Sequence, residues 1–509
     1  MRRGAGRDVT GLLQDFGHDL PSKPVIEAVE KEPRLFRSGL GRGVPRRGAG
    51  WAASMKPPVA RYRMTSDQAP VLWPWLAGPG LPPTGALIGM DNQSGGKFYA
   101  DPVGWVRDSN IPVTNHNIFS MGKPGVGKSG TTKAFVLRML CFENYKAFIP
   151  GDPKDEYERL CRFLGVEPIA IGPGLGARIN PLDFGPLISG WADLSRPEAH
   201  KRAQVVFGRW LTLLGGLVGS QRVGAAPVPF GPNEQAVCQA ALESLTGWSE
   251  GATELRVATI PQLWAALDEP SDDLVQTCRY ATKQEFMDDT RLLRNALLQL
   301  VKGRLAGLFD TETTVEIDWN APIQSLSLSR LDALGDEAVG IALTCVNSWG
   351  RGMRELAARE DVRIVVRDEA WRQFRLGVDA IKSFDADLRF SRGKGDEGGD
   401  IQFAVMHKPS DLLSVGDQGS QAAMIAKDLL ELADVKILHG QKPSVAAELD
   451  EMLGLGTVAK GLITGWAMQG KGRAVWSIGD RIHQVSTLLH PIERKLTWTQ
   501  PVAEDEGTG

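Results

Sequence analysis

The chain is poor in cysteine, has no long apolar run and carries no strong excess of either charge. Its five cysteines, Cys141, Cys161, Cys238, Cys278 and Cys345, are scattered and form no C-x-x-C pair, which argues against a disulfide framework or a zinc site. A reducing compartment fits that usage. The apolar run with the most membrane-like character, Trp210 to Val218, is interrupted by Thr212, Gly215 and Gly216. It falls far short of the roughly 20 residues that a spanning helix needs. A formal net charge of −3 does not mark a polyanion-binding protein, so nucleic-acid contact would have to come from a local patch. What remains, 42% apolar and 23% charged residues over a length of 509, is a globular composition with room for two or three domains.

One stretch departs from that composition. From Arg34 to Arg63 there are eight basic residues and no acidic one, interleaved with Gly, Pro and Ala. Such a segment buries too little apolar surface to fold, and residues 1–65 read as a disordered basic arm. Two roles stay open for it, a solvated tail and a contact for nucleic acid or acidic lipid. Met1-Arg2-Arg3 lacks the apolar core of a secretory signal, so export is not expected, and Met55 and Met64 are alternative starts. At the other end, residues 491–509 with Glu504-Asp505-Glu506 read as a frayed acidic tail.

Against this background one motif is complete. Gly122-Lys123-Pro124-Gly125-Val126-Gly127-Lys128-Ser129 spells a P-loop, and the tetrad Ile118 to Met121 in front of it reads as the strand the motif requires. Its chemistry is the binding of a nucleoside triphosphate. The backbone of Gly122, Gly125, Val126, Gly127 and Gly130 is expected to curl around the phosphates. Lys128 reaches the outer phosphates, and the Ser129 hydroxyl ligates Mg²⁺. The following helix, expected over Thr131 to Phe142, presents its N-terminus to the anion.

The rest of the chain alternates strand and helix signals. Strands are predicted at Lys146–Pro150, Glu167–Gly172, Ile323–Leu328, Arg363–Val366, Gln402–Met406 and Val435–Leu438. Helices are predicted at Ala338–Ala357, Gly377–Arg389 and Gln421–Leu432. Between Pro186 and Leu308 the pattern turns to long amphipathic stretches such as Asn233–Leu245 and Phe286–Leu300. The expected fold is therefore α/β, a P-loop NTPase with a mostly parallel sheet and an all-helical insertion. Residues 66–185 and 311–490 are assigned to the NTPase domain, and 186–310 to the insertion.

A P-loop needs a carboxylate on a neighbouring strand for Mg²⁺ and, in hydrolases, a second one to orient water. Asp368 and Glu369, after the strand Arg363–Val366, fit as metal-side acid and general base, the alternative being an exposed pair at a strand end. Arg367 is unexpected in a central strand. Arg389, Arg392 and Lys394 are candidates for a cation on the γ-phosphate, with a solvated loop as the competing reading. His407, at the end of the strand Gln402–Met406, is either a γ-phosphate sensor or a structural histidine.

Three further runs carry a resemblance. Gly151-Asp152-Pro153-Lys154-Asp155-Glu156-Tyr157, Ile179-Asn180-Pro181-Leu182-Asp183 and Asp368-Glu369-Ala370-Trp371 together resemble the VirB/TraC/TrbE-class ATPases of conjugation and type IV secretion. The stretch from Arg389 through Met406-His407-Lys408-Pro409-Ser410-Asp411-Leu412 to Gly440-Gln441 is similar to their short actinobacterial members. The resemblance, over roughly Gly78 to His490, implies a RecA-like motor of the FtsK/HerA group, ATP and Mg²⁺ as cofactors, and homo-hexamers with ATP at subunit interfaces. It implies Arg392 and Gln441 as interface or sensor positions, with Gln441 near the nucleotide. It also implies other type IV secretion components at the membrane as partners, possible DNA contact directly or through a relaxase complex, and a cytoplasmic, peripheral position at the inner membrane face. Met406-His407 stands where many relatives carry Thr-Gln, and the first hundred residues are too short for the N-terminal docking domain of larger members. The expected function is an ATP-hydrolysing motor of a conjugative apparatus. The alternatives are a DNA-pumping translocase of FtsK/HerA or coupling-protein type and an ATP-gated scaffold.

Overall fold

The computed structural model describes residues 81–497 apart from 189, 225, 304, 316–317, 319, 354–360, 371, 373–383, 386–387, 390, 392–398 and 409–427. The basic arm, Arg392, Lys394 and most of the helices expected at 377–389 and 421–432 lie outside the described residues.

The chain opens with an antiparallel pair, β1 (Ala86–Asp91) and β2 (Lys97–Ala100), and a short helix α1 (Pro102–Arg107) capped by Asp101. The strand before the P-loop is β3 (Ile118–Met121), and the helix after it, α2 (Lys128–Met139), begins within the motif itself. Next come β4 (Tyr145–Asp152), α3 (Glu158–Phe163) and the two-residue β5 (Ile169–Ala170). Helices then take over, starting with the 24-residue α4 (Arg196–Gly219), where Pro197 and a Ser195–Glu198 capping box start the helix. A small hairpin, β6 (Arg222–Val223) and β7 (Ala226–Pro227), precedes α5 (Pro232–Thr246), α6 (Ile260–Asp268), α7 (Asp272–Thr277), α8 (Lys283–Asp289) and α9 (Arg291–Lys302). The single helix expected over 286–300 is thus two. They meet at Thr290, whose hydroxyl turns back to the Phe286 carbonyl at 2.7 Å, a local bond that competes with helix continuation.

Strands resume with β8 (Ile323–Ser327), α10 (Asp336–Met353), β9 (Val362–Arg367), β10 (Asp400–Met406) and β11 (Val435–His439). The chain closes with α11 (Pro443–Leu453), α12 (Gly456–Thr464), β12 (Arg473–Ile478), β13 (Arg481–Thr487) and α13 (Pro491–Thr497). All strands but the small hairpin join one eleven-stranded sheet in the order β2-β1-β13-β12-β11-β3-β10-β9-β4-β8-β5. From β11 to β5 every pairing is parallel, and β2, β1, β13 and β12 extend the sheet with antiparallel pairings.

Central strands buried on both faces are rich in apolar residues with few polar interruptions, and this is why β3, β9 and β10 were visible in the sequence. Successive residues serve opposite faces: Ile401, Phe403 and Val405 of β10 pack with Phe135 and Val136 of α2, whereas Ala404 and Met406 pack with Leu449 and Ile463 of α11 and α12. Arg367 is tolerated in β9 because its Nε donates to Gln402 Oε1 on β10 at 3.1 Å and its guanidinium lies 5.2 Å from the Phe384 ring. The Asn180 motif ties the helical block to the sheet. Its fully buried amide donates to Ala258 O at 2.8 Å and accepts from Leu182 N at 3.0 Å, while Trp210 of α4 donates to Leu182 O at 2.8 Å.

The segment after residue 490 differs from the frayed tail expected there. Pro491–Thr497 is a helix lying on α2 and α3, and Arg138 of α2 grips Glu493 with two nitrogens at 2.7 and 2.6 Å. Arg138 also donates to Leu87 O and Ile88 O at 2.5 and 3.0 Å, so one guanidinium joins α2, α13 and β1. Seven residues are too few to show helical periodicity, and the partner that holds them is remote in sequence.

Trp476 of β12 is fully buried and meets Phe98 of β2 edge-on at 5.0 Å. Replacing it with alanine is expected to cost about 3–5 kcal/mol, read as a lower urea midpoint for unfolding of the sheet.

Candidate nucleotide site

The P-loop leaves β3 at Met121 and enters α2 at Lys128, and two contacts explain its glycines. Gly127 has φ +104°, and a Cβ there would stand 2.4 Å from the Gly472 nitrogen. A Cβ on Gly122 would stand 2.6 Å from that of His439 at the end of β11. The loop is braced from two sides. Gly472 N donates to Val126 O at 2.8 Å, Gly472 O accepts from Thr487 N at 2.9 Å, and Lys123 N donates to Gly440 O at 3.2 Å. The Thr131 and Thr487 hydroxyls meet at 3.0 Å. Gly472, Thr487 and His439 were not singled out in the sequence. Only Gly470-Lys471-Gly472, a glycine-flanked lysine before a strand, could have flagged that turn.

At the start of α2 the first backbone N–H groups have no helical acceptor and face the loop, which suits anions. Lys128 is buried, and its ammonium donates to Gly122 O at 2.6 Å and Lys123 O at 3.2 Å and lies 3.2 Å from His407 Nδ1. Burial lowers its pKa to about 8, while Asp368, Glu369 and Glu156 pull it upward. Ser129 is half-buried and, with Thr131, Lys471, Thr487, Leu489 and Arg494, lines a cavity of about 400 Å³ beside the loop. Gly125, Gly127 and Gly130 border the same space.

Two strands away, β9 delivers Asp368 and Glu369, both buried. Asp368 Oδ1 accepts from Glu369 N at 3.0 Å, whereas its Oδ2 has no hydrogen-bond partner among the described residues. Burial, then the neighbouring Glu156, Glu369 and Asp152 charges, push its pKa up to about 7. Glu369 sits at φ +54°, a left-handed conformation that costs a non-glycine residue on the order of 1–3 kcal/mol. Its carboxylate accepts from Lys154 and faces His407 Nε2 at 3.6 Å. Burial raises its pKa, but His407 and Lys154 outweigh burial and hold it well below the usual carboxylate range.

His407 therefore stands between Lys128 and Glu369, one ring nitrogen toward each. The cause is register: β10 lies between β3 and β9, pairing Met406 with Met121 and Ala404 with Arg367, so the three strands end side by side. Gln441 donates from Nε2 to His407 O at 2.7 Å, which places it behind the histidine. Arg389 pairs with Asp385 in its own helix, Nε to Oδ2 at 2.7 Å, and the described residues do not bring it to Lys128 or Glu369.

Asp152, of the Gly151–Tyr157 run, shapes the turn that carries Lys154. Its buried carboxylate accepts from the Lys154, Glu156 and Tyr157 amides at 3.3, 3.0 and 2.7 Å. Burial lifts its pKa to about 6 against the pull of those amides. Lys133, one turn further along α2 than Lys128, pairs with Glu156 at 3.2 Å and lies 5.2 Å from the Tyr157 ring.

This sheet and this loop define a P-loop fold with a RecA-like sheet. Among solved structures the chain is similar to that of VirB4 of Thermoanaerobacter pseudethanolicus, with 19% identity and a TM-score of 0.62, over 82% of this chain and 100% of that one. At that identity the likeness is one of fold. A further similar structure is the plasmid coupling protein TrwB in complex with ADP and Mg²⁺, with 14% identity and a TM-score of 0.47, over 82% of this chain and 98% of that one. No protein-family model and no curated protein matches the sequence.

Two outcomes follow from the packing around the loop. Gly127→Ala cannot be accommodated against Gly472, and nucleotide affinity measured by calorimetry is expected to fall at least tenfold. His439 is fully buried, and burial followed by the Lys128 charge drives its pKa from 6.5 down to about 3. At that residue the folded state binds fewer protons than the unfolded one between those values, so the stability that neutral His439 contributes is intact above pH 6.5 and is lost as pH falls toward 3, opposite in sign to the contribution of the raised Asp152 and Asp368 carboxyls. At pH 5 the loss of this contribution relative to pH 7 is about 2 kcal/mol, expected as a change of that size in the stability difference between wild type and His439→Asn measured by urea titration at the two pH values.

Proposed function

We propose that this chain is an ATP-hydrolysing motor that energises a conjugative DNA-transfer apparatus of the type IV secretion kind. The observation that carries the reading is the meeting of Lys128, His407, Asp368 and Glu369 at the ends of three adjacent parallel strands. Support for the setting comes from the run of family-like motifs and, separately, from the fold shared with VirB4. Residues 66–185 and 311–490 form the motor domain in this reading, with 186–310 inserted.

The residues present fit a magnesium ion. Asp368 offers a buried carboxylate oxygen without a partner among the described residues, and Ser129 a hydroxyl at the start of α2. Those two would hold it, Asp368 through water, and the ion would neutralise charge on the phosphate oxygens. The protein groups do the rest. Backbone amides of the loop and of the first turn of α2 take the phosphates, and Lys128 exchanges its own loop carbonyls for phosphate oxygens. Glu369 accepts a proton from water as the water oxygen bonds to the γ-phosphorus. The bond to the β–γ bridging oxygen breaks, and its electron pair leaves with ADP. The cavity beside Thr487 and Arg494 receives the nucleoside.

The ring completes the picture: a homo-hexamer whose sites are finished by a neighbour, with Arg392 as the finger, seated peripherally at the inner membrane face among other secretion components. DNA would be reached directly or through a relaxase complex. Among the described residues no helix is long and apolar enough to cross a membrane.

Steady-state hydrolysis measured against protein concentration tests this. Turnover should rise more than linearly with concentration, and Glu369→Gln should bind ATP while losing about 10²–10⁴ in rate. ATP binding without turnover at any concentration overturns the motor reading.

A further inference from the structure

The Gly151–Tyr157 run places a second lysine in this site that the P-loop chemistry does not use. Lys154 comes from the β4–α3 turn, its ammonium bound to Glu369 while its side chain remains 47% exposed. The opposite side of that carboxylate faces His407 Nε2, and His407 Nδ1 faces Lys128. Lys154, Glu369, His407 and Lys128 thus form one chain of contacts running from the turn to the P-loop.

A carboxylate held between a lysine and a histidine is a weak base and has its oxygens turned to partners other than water. Hydrolysis requires that grip to loosen. Three observations say what loosens it. Only Glu369 and His407 stand between Lys154 and the P-loop lysine in the chain of contacts, so the turn lysine lies close to the place where phosphates would sit. The half-exposed stem of Lys154 is free to swing, whereas the turn beneath it is fixed by the buried Asp152 carboxylate. Glu369 is held in a strained left-handed backbone, a state that persists only while its surroundings impose it.

Resting on the ATP-hydrolysis reading, we propose that Lys154 is a γ-phosphate-responsive switch: it occupies Glu369 while the site is empty and transfers to the terminal phosphate when ATP enters. One movement then frees the base and adds a cation where negative charge develops. ADP, lacking that phosphate, leaves the lysine on Glu369, so the site is silenced after each turnover.

The switch predicts a difference between two nucleotides. Affinities of the full-length protein for ADP and for the non-hydrolysable analogue AMP-PNP, both with Mg²⁺, are measured for the wild type, Lys154→Met and Lys154→Arg, alongside ATP turnover. Lys154→Met should weaken AMP-PNP binding about tenfold. It should leave ADP binding within about twofold and lower kcat at least tenfold, with Lys154→Arg restoring most of both losses. Equal weakening of ADP and AMP-PNP identifies a structural role and overturns the switch, as does unchanged AMP-PNP binding, whatever kcat does. In each of those cases an active wild type leaves the ATPase reading standing. A wild type that binds neither nucleotide overturns both.

Discussion

The parallel register of β3, β10 and β9 is the constraint on which this site depends. Met121 and Met406 lie level, as do Arg367 and Ala404, so the residues that follow each strand emerge on one edge of the sheet. The order of strands does the chemical sorting. The phosphate-binding loop follows β3, the carboxylates follow β9, and the strand between them ends at the histidine that touches both. A slip of one residue in β10 would reverse its faces and send His407 away from Lys128 and Glu369.

Around that edge, opposite charges are packed into little water. Lys128 and Lys133 of α2 share the region with Asp152, Glu156, Asp368 and Glu369, and most of these side chains are nearly fully buried. Such an arrangement is stable only when each charge has a partner, and the partners here are internal: loop carbonyls for Lys128, Glu156 for Lys133, Lys154 and His407 for Glu369. Asp368 Oδ2 is the exception among the described residues, and burial with the nearby Glu156, Glu369 and Asp152 charges pushes the Asp368 pKa up.

The antiparallel extension of the sheet is equally involved. The turn before β12 abuts Gly127, β13 supplies Thr487 to Thr131, and α13 with its Arg138–Glu493 pair closes the cavity beside the loop. Residues 471–497 thus act as a brace for a motif that lies more than three hundred positions earlier.

The sequence by itself determined the P-loop, the parallel core strands and the Asp368–Glu369 pair, because each is local: a motif read residue by residue, or an apolar run long enough to bury on two faces. It also marked Gly151–Tyr157 and Asn180 without saying what they do. Strands β1, β2, β12 and β13 escaped notice: β1–β2 and β12–β13 are hairpins, and they join the sheet through the pairing of β1 with β13 across nearly four hundred residues and of β12 with β11. The break at Thr290 and the helix after residue 490 rest on a single hydroxyl and a distant arginine. Only the packing of distant segments shows that His407 bridges Lys128 and Glu369, that Gln441 stands behind it, and that Lys154 pairs with Glu369. Contacts between residues remote in the chain have no period or spacing to betray them; they exist only once the sheet has set its register.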